Sequence, residues 1–124
     1  MGAGIAKGIR AVFPEAFEAD LATARGDRRK LGTCSHAEVV RNDLRIVIVN
    51  AYTQYDYRGS GTKLDYDALR GCMGWIKERY SGLRIGLPKI GAGLAGGDWL
   101  RIADIITEAL PGEDVSIVEF KPVD

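Results

Sequence analysis

The sequence predicts an α/β domain in which helices cover both faces of a mixed sheet. Helical and strand-like patterns alternate along the chain, and the run 44–49 is almost entirely apolar, which is typical of a strand covered on both faces. A glycine-rich corner at 91–97 joins a predicted strand to a predicted helix, and right-handed crossovers of this kind place helices on both faces of a sheet. With 124 residues, 46% of them hydrophobic, residues 1–124 are expected to form one domain with its own core.

Two short helices are predicted first. Ile5 and Ile9 recur at helical spacing after a glycine-rich start. Pro14 suits the first position of a second helix, in which Phe17 and Leu21 share a face.

A β-hairpin is predicted next, after a charged loop at 27–32. The runs 33–40 and 44–49 are rich in β-forming residues, and Arg41-Asn42-Asp43 between them has the composition of a turn.

The second half of the chain predicts helix, strand, helix and strand. Asp65 or Asp67 is suited to cap the first of these helices. Its apolar side chains form one buried stripe, which consists of Leu69, Cys72, Met73, Ile76 and Tyr80. A strand is predicted over 83–90, a helix over 99–110 and a closing strand over 115–120. The apolar stripe predicted for the 99–110 helix consists of Trp99, Ile102, Ala103, Ile106 and Leu110.

Composition excludes several classes of protein. The chain carries 17 basic and 17 acidic side chains, and this balance argues against nucleic acid as a partner, because affinity for nucleic acid comes largely from accumulated Lys and Arg. No run approaches the eighteen or so apolar residues of a membrane span, and the N-terminus lacks a signal-peptide layout. We therefore expect no membrane association and a cytoplasmic location. Cys34 and Cys72 are expected to be reduced and buried, with a bridge between them left open, and neither a metal nor a cofactor is expected.

Two glycine loops are the most informative segments. In 88–99, four glycines stand between a strand and a helix, where backbone N–H groups can converge on a phosphate at the positive helix N-terminus. A second loop, 1–6, also opens a helix, and two such loops suit a diphosphate. The G-x-G-x-x-G spacing of a Rossmann dinucleotide-binding motif is also present, at Gly91, Gly93 and Gly96. That motif normally lies in the first βαβ unit of its fold, whereas here it lies in the last. A glycine corner required by packing alone is the other interpretation.

Three segments together carry a resemblance to a known family. Gly-Ala-Gly-Ile-Ala at 2–6, Val-Asn-Ala-Tyr-Thr-Gln at 49–54, and Pro-Lys-Ile-Gly-Ala-Gly-Leu at 88–94 resemble a macro domain in their order and spacing, and the resemblance runs from Met1 to the last strand. It is similar to the branch that contains yeast and phage ADP-ribose 1''-phosphate phosphatases and terminal ADP-ribose protein glycohydrolases. The resemblance implies a three-layer α/β/α fold with a mixed central sheet.

The resemblance also implies ADP-ribose as the ligand, with its diphosphate between the two glycine loops and its distal ribose beside 50–54. The implied ligand-binding residues are Gly2, Ala3, Gly4, Ile5, Ala6, Asn50, Ala51, Tyr52, Thr53, Pro88, Gly91, Ala92, Gly93, Leu94, Ala95 and Gly96.

The catalytic candidates are Gln54, Asp98 and His36. Gln54 could position a water molecule or the ribose hydroxyls, or could simply hydrogen-bond at the strand end. Asp98 is a candidate acid or base, but its position also suits a helix cap. His36 is a candidate because histidine as a residue type can exchange a proton near neutral pH, but a histidine on a strand can equally serve in packing. Asp56 lies in the adjacent loop, as either an acid or a solvated side chain.

The chain departs from the family pattern in two respects. In the family, a strand and an acidic adenine-recognising residue precede the first glycine loop, and neither has a counterpart in this sequence. We therefore expect either that the true start lies upstream of Met1 or that the domain is N-terminally short. In a short form, a homodimer could compensate for the missing strand. The glycohydrolases also have a lysine after the central strand and an aspartate in the second glycine loop, where this chain has Tyr52-Thr53-Gln54 and Ala95. Hydrolysis of ADP-ribose 1''-phosphate to ADP-ribose and phosphate is therefore the leading hypothesis. The alternatives are a non-catalytic ADP-ribose-binding module, an ADP-ribosyl-protein hydrolase, and a fragment without a site.

Overall fold

The helices and strands follow the predicted order in the computed structural model, which describes residues 4–23, 28–54, 64–89 and 98–118. The elements are α1 (Gly4–Val12), α2 (Pro14–Leu21), a 3₁₀ turn (Arg28–Lys30), β1 (Cys34–Arg41), β2 (Leu44–Ala51), α3 (Tyr66–Tyr80), β3 (Ile85–Pro88), α4 (Trp99–Ala109) and β4 (Val115–Val118).

Strands β1 and β2 form the predicted hairpin. Arg41 pairs with Leu44, and the register continues to the pair Cys34 and Ala51. The turn therefore has two residues, Asn42 and Asp43, both with positive φ values of 52° and 64°. Asn and Asp tolerate this left-handed conformation, and a turn with two positive φ angles matches the right-handed twist of the strands. Local turn chemistry thus sets the register of the whole hairpin.

Helices cover both faces of the hairpin. On one face, the Asn50 side-chain amide donates to the backbone carbonyl of Ala16 in α2 at 3.0 Å. On the other, the His36 ring lies 5.5 Å from the Trp75 ring of α3, measured between centroids. Because successive strand residues point to opposite faces, this alternation gives the layers α2, hairpin and α3, in agreement with the predicted α/β/α arrangement.

Strands β3 and β4 form a parallel pair, joined through α4. Ile85 pairs with Val115 and Pro88 with Val118. β3 is shorter than the predicted strand 83–90, because the chain leaves α3 through a turn at Gly82, whose φ is 88°. The hairpin is antiparallel and the β3–β4 pair is parallel, and within the described ranges they form two separate two-stranded sheets.

The core lies between α3 and α4 and the strands beside them. Its fully buried side chains are Leu69, Cys72, Met73 and Ile102. In α4, Ile105 is also buried, which the predicted stripe did not include.

The face of α2 that carries Phe17 and Leu21 is not the face on which the helix packs. Leu21 is 60% exposed and Phe17 is only half-buried, whereas Ala16 is completely buried. The small Ala16 side chain lets the helix backbone approach the hairpin, and its carbonyl accepts the Asn50 bond there.

None of the helices in the four described ranges is long and apolar enough to cross a lipid bilayer.

Candidate functional site

A chain of hydrogen bonds joins the end of β2 to α2. Asn50 Nδ2 donates to Ser35 Oγ at 3.0 Å, and Ser35 Oγ lies 2.7 Å from the Tyr52 hydroxyl. Tyr52 donates its single proton to Asp20 Oδ1 at 2.7 Å. Because that proton is committed to the carboxylate, Ser35 must donate to Tyr52. The bonds therefore run in one direction, from Asn50 through Ser35 and Tyr52 to Asp20.

Lys30 adds a positive charge to this network. Its ammonium lies 3.6 Å from Asp20 Oδ1 and 4.1 Å from the centroid of the Tyr52 ring. Burial raises the pKa of Tyr52, and the Asp20 carboxylate raises it further. Tyr52 is thus a neutral hydrogen-bond donor at physiological pH, and its side chain fixes the strand end against α2.

The strand end also contacts the start of α3. Thr53 is buried, and its carbonyl accepts a bond from the backbone N–H of Asp65 at 2.8 Å. Gln54 is exposed and forms an isolated antiparallel bridge with Leu64. Asp65 caps α3 by accepting from Ala68 N at 2.9 Å. The two segments that flank residues 55–63 therefore lie side by side.

The start of α4 lies next to the start of α3. The backbone N–H of Asp98 donates to the Tyr66 hydroxyl at 3.1 Å. The Asp98 carboxylate accepts from Leu100 N at 3.0 Å, which is the geometry of an N-cap. Arg101 lies 3.9 Å above the Tyr66 ring. The end of β2 and the N-termini of two helices, each with positive partial charge, thus meet at one edge of the domain.

His36 occupies a separate aromatic cluster. Its ring lies 5.5 Å from Trp75 and 6.2 Å from Tyr80, and Arg79 lies 4.9 Å above Trp75. Within the described residues, the ring contacts of His36 join it to α3, whereas Gln54 and Asp98 lie at the edge where the helices begin. The three catalytic candidates are therefore divided between two places.

Most of the predicted glycine-loop residues lie outside the described residues. These are Gly2, Ala3, Gly91, Ala92, Gly93, Leu94, Ala95 and Gly96, and the candidate Asp56 lies outside the described residues as well. Gly4, Ile5 and Ala6 lie in the first turn of α1, Ala51 packs against the core, and half-buried Pro88 ends β3.

An open groove of about 340 Å³ lies elsewhere, between α4 and β4. Its walls are mainly apolar and include Trp99, Ile106 and Val115. The charged group in its lining, Glu113, already accepts bonds from Gly82 N and Ser81 Oγ and pairs with Lys77. Among the described residues, the lining of the groove therefore includes no positive side chain for an anionic ligand.

Sequence reasoning missed Ser35, Asp20, Lys30 and Tyr66. The position of Ser35 could have been found, because a two-residue turn at 42–43 places it opposite Asn50. The contacts of Asp20, Lys30 and Tyr66 join segments distant in sequence, for which the local pattern gives no signal.

Comparisons with known proteins agree with this architecture. No protein-family model matches the chain. Among solved structures, the macrodomain of Mycobacterium tuberculosis DarG superimposes with a TM-score of 0.62 at 24% identity, over 99% of this chain and 82% of that one. A Bacteroides thetaiotaomicron protein of unknown function gives a TM-score of 0.62 at 25% identity, over 76% of this chain and 62% of the other. The fold is therefore that of a macrodomain.

The sequence relationship is closer to a phage protein. An uncharacterised 17.5 kDa protein from the tk–vs intergenic region of Enterobacteria phage T4 is 33% identical over 128 residues, spanning 99% of this chain and 81% of its own length. The chain belongs to the family of this phage T4 protein.

Proposed function

We propose that this chain binds ADP-ribose at the edge where β2 ends and α3 and α4 begin. The observation that carries the proposal is the bond between the Tyr66 hydroxyl and Asp98 N. It brings the start of α4, which directly follows the glycine loop 91–97, beside the segment 50–54. The macrodomain fold shared with DarG supports the same ligand.

The chemistry of this edge suits a nucleotide diphosphate. Helix N-termini and glycine amides bind phosphate oxygens without needing cationic side chains, which agrees with a net charge of zero. Arg101 adds a positive charge beside Tyr66. Exposed Gln54 is the side chain of 50–54 best suited to reach the distal ribose, whereas Asn50 and Tyr52 act by holding the strand end in position.

The finer proposal is hydrolysis of ADP-ribose 1''-phosphate to ADP-ribose and phosphate. In this reaction Gln54 would orient the attacking water, and backbone amides would stabilise the developing charge. Asp98 would have to leave its capping bond to Leu100 before acting as an acid or base.

A binding module without catalysis is the second candidate. The commitment of the Asp98 carboxylate as a cap favours it, as does Tyr52-Thr53-Gln54, which has no lysine. The same missing lysine argues against an ADP-ribosyl-protein hydrolase.

Calorimetric titration with ADP-ribose tests the binding proposal, with AMP and NADH as comparison ligands. We expect saturable binding of ADP-ribose and much weaker binding of the other two. Gly93→Leu should abolish binding by filling the glycine loop. Gly74→Leu is the matched control, because Gly74 lies on an exposed face of α3 with open space around it. Absence of binding by a folded chain would overturn the proposal.

Phosphate release from ADP-ribose 1''-phosphate separates the two candidates. An enzyme should release phosphate, and Gln54→Ala should lose most of that activity while it retains ADP-ribose binding. Binding without release would identify a binding module.

A further inference from the structure

The two cysteines meet between β1 and α3. Both are free thiols, Cys72 completely buried and Cys34 partly exposed. The Cys72 thiol lies 3.4 Å from the carbonyl oxygen of Thr33, the residue directly before Cys34. The Cys34 sulfur lies 4.0 Å from the carbonyl oxygen of Cys72. Each sulfur therefore lies against the backbone beside the other cysteine.

The two thiols are close enough for each to shift the pKa of the other. The Cys72 thiol raises the pKa of Cys34 above its usual range, with burial adding to the effect, and the Cys34 thiol lowers the pKa of Cys72. Such a pair loses its first proton more readily than its second, because the remaining S–H stabilises the thiolate. Once one of two neighbouring sulfurs is oxidised to a sulfenic acid, attack by the other sulfur closes a disulfide.

We propose that Cys34 and Cys72 are a redox-active pair that closes to an intramolecular disulfide when the protein meets a peroxide. Disulfides require cysteines whose backbones are close and whose side chains converge, and the reciprocal contacts place each sulfur against the backbone at or directly beside the other cysteine. This inference does not depend on the proposed ADP-ribose site.

The reaction balances with hydrogen peroxide as the oxidant. One thiol of the pair gives up its proton, its thiolate attacks the peroxide, the O–O bond breaks, and a sulfenic acid forms while the leaving hydroxide takes up a proton as water. The other sulfur then attacks the sulfenic sulfur, the S–S bond forms, the S–O bond breaks, and the leaving hydroxide takes up that thiol's proton as a second water. Two thiols lose two electrons in total, and one peroxide is reduced to two water molecules.

The surrounding backbone tolerates loss of the S–H groups. The Cys72 thiol contacts the carbonyls of Thr33 and Tyr52. Thr33 O also accepts from Tyr52 N at 3.0 Å, and Tyr52 O accepts from Gly32 N at 2.9 Å. Both carbonyls therefore keep a partner after oxidation, so the buried site carries no unsatisfied acceptor as a penalty.

The disulfide would link the middle of α3 to the end of the hairpin at which β1 begins and β2 ends. Cys34 pairs with Ala51, the last residue of β2, and Cys72 lies in the buried stripe of α3. The closed loop spans residues 34–72, long enough for a crosslink to restrict the unfolded chain substantially.

Mass spectrometry and thiol titration test the proposal on the full chain at low protein concentration. After treatment with hydrogen peroxide, we expect the monomer to lose two hydrogens (about 2 Da) and both titratable thiols. A peptide map should show residues 34 and 72 crosslinked. The melting temperature should rise by about 5 °C or more, and dithiothreitol should reverse each change.

Cys34→Ser and Cys72→Ala are the controls, and each should show neither the crosslink nor the rise in melting temperature. Diamide should give the same crosslink without oxidising methionine. The proposal would be overturned if both thiols remained titratable, if only oxygen were added to the sulfurs, or if the crosslink joined two chains.

Discussion

Tyr52 fastens the helix layer to the hairpin with a single hydroxyl. That oxygen accepts from Ser35 and donates to Asp20, while Lys30 lies over the ring. The same residue belongs to the segment that the sequence assigned to ligand binding. A side chain at a strand end can therefore serve a site through position rather than through contact.

Tyr52→Phe tests this positioning role. We expect a loss of about 1–2 kcal/mol in the free energy of unfolding, because Ser35 and Asp20 each lose a partly buried partner. Urea denaturation gives the value. Tyr80→Phe is the matched control, since the described residues provide no hydrogen-bond partner for that hydroxyl, and an equal loss there would contradict the expectation.

Glu113 connects the end of α3 to the turn before β4. Its carboxylate, only 7% exposed, accepts from Gly82 N at 2.8 Å and Ser81 Oγ at 2.9 Å and pairs with Lys77 at 3.2 Å. The Gly82 N–H is the main reason that the pKa of Glu113 lies below its usual value, followed by Ser81 and Lys77. A depressed folded-state pKa stabilises the protein above the unfolded pKa, and this stabilisation is lost as the pH falls through the folded value.

Glu113→Gln should therefore destabilise the protein at pH 7, and the difference from the parent should shrink below about pH 4. Thermal melts at both pH values measure this. Glu108→Gln, which removes an exposed carboxylate from α4, is the control and should change the melting temperature little. A difference that grew in acid would have the wrong sign for this mechanism.

Among the elements, α3 has two aspartates that could cap its N-terminus. Both Asp65 and Asp67 fit as caps by composition, and the structure selects Asp65, which accepts from Ala68 N. Asp67 is 98% exposed and pairs weakly with Arg70 at 3.5 Å.

Asp65→Ala should lower the free energy of unfolding by about 1 kcal/mol, the usual effect of a lost N-cap. Asp67→Ala removes an equally charged group from the same turn and should change it by less than about 0.5 kcal/mol. Chemical denaturation of the two variants in parallel is the measurement, and equal effects would show that charge rather than capping matters.

The hairpin was predictable because its determinants are local: a two-residue turn with the right chemistry, between alternating and apolar runs. The packing face of α2 was not predictable from local pattern. Ala16 is buried where α2 contacts the hairpin, and that contact includes the bond from Asn50, which is distant in the sequence. The candidate site was predictable as segments, since 50–54 and the start of α4 carry recognisable motifs. The bond from Tyr66 to Asp98 that brings them together is a tertiary contact with no local pattern.

For the molecule as a whole, α3 and α4 share one core, in which Ile102 and Met73 are completely buried. In a close-packed core, deletion of a buried side chain leaves a cavity that the neighbouring side chains fill only in part. The stability of the candidate site should therefore depend on side chains that do not belong to it.

Ile102→Ala should cost about 2–5 kcal/mol, the range for deletion of a buried aliphatic side chain. Leu100→Ala is the control on the same helix, because Leu100 is 76% exposed, and it should cost less than about 0.5 kcal/mol. The midpoints of urea denaturation, at an unchanged dependence of the free energy of unfolding on urea concentration, give both values. A small effect at Ile102 would mean that α4 packs differently.

The two strand pairs differ in what must happen before each can form. The hairpin closes through Asn42 and Asp43 alone, and hairpins of this type assemble in about 1–10 μs. The parallel pair must wait for the whole connection through α4 to close, which carries a larger entropic penalty and slows the search. We therefore expect folding to start at the hairpin and to finish when β4 docks beside β3, so that the late step completes the half of the domain containing α4.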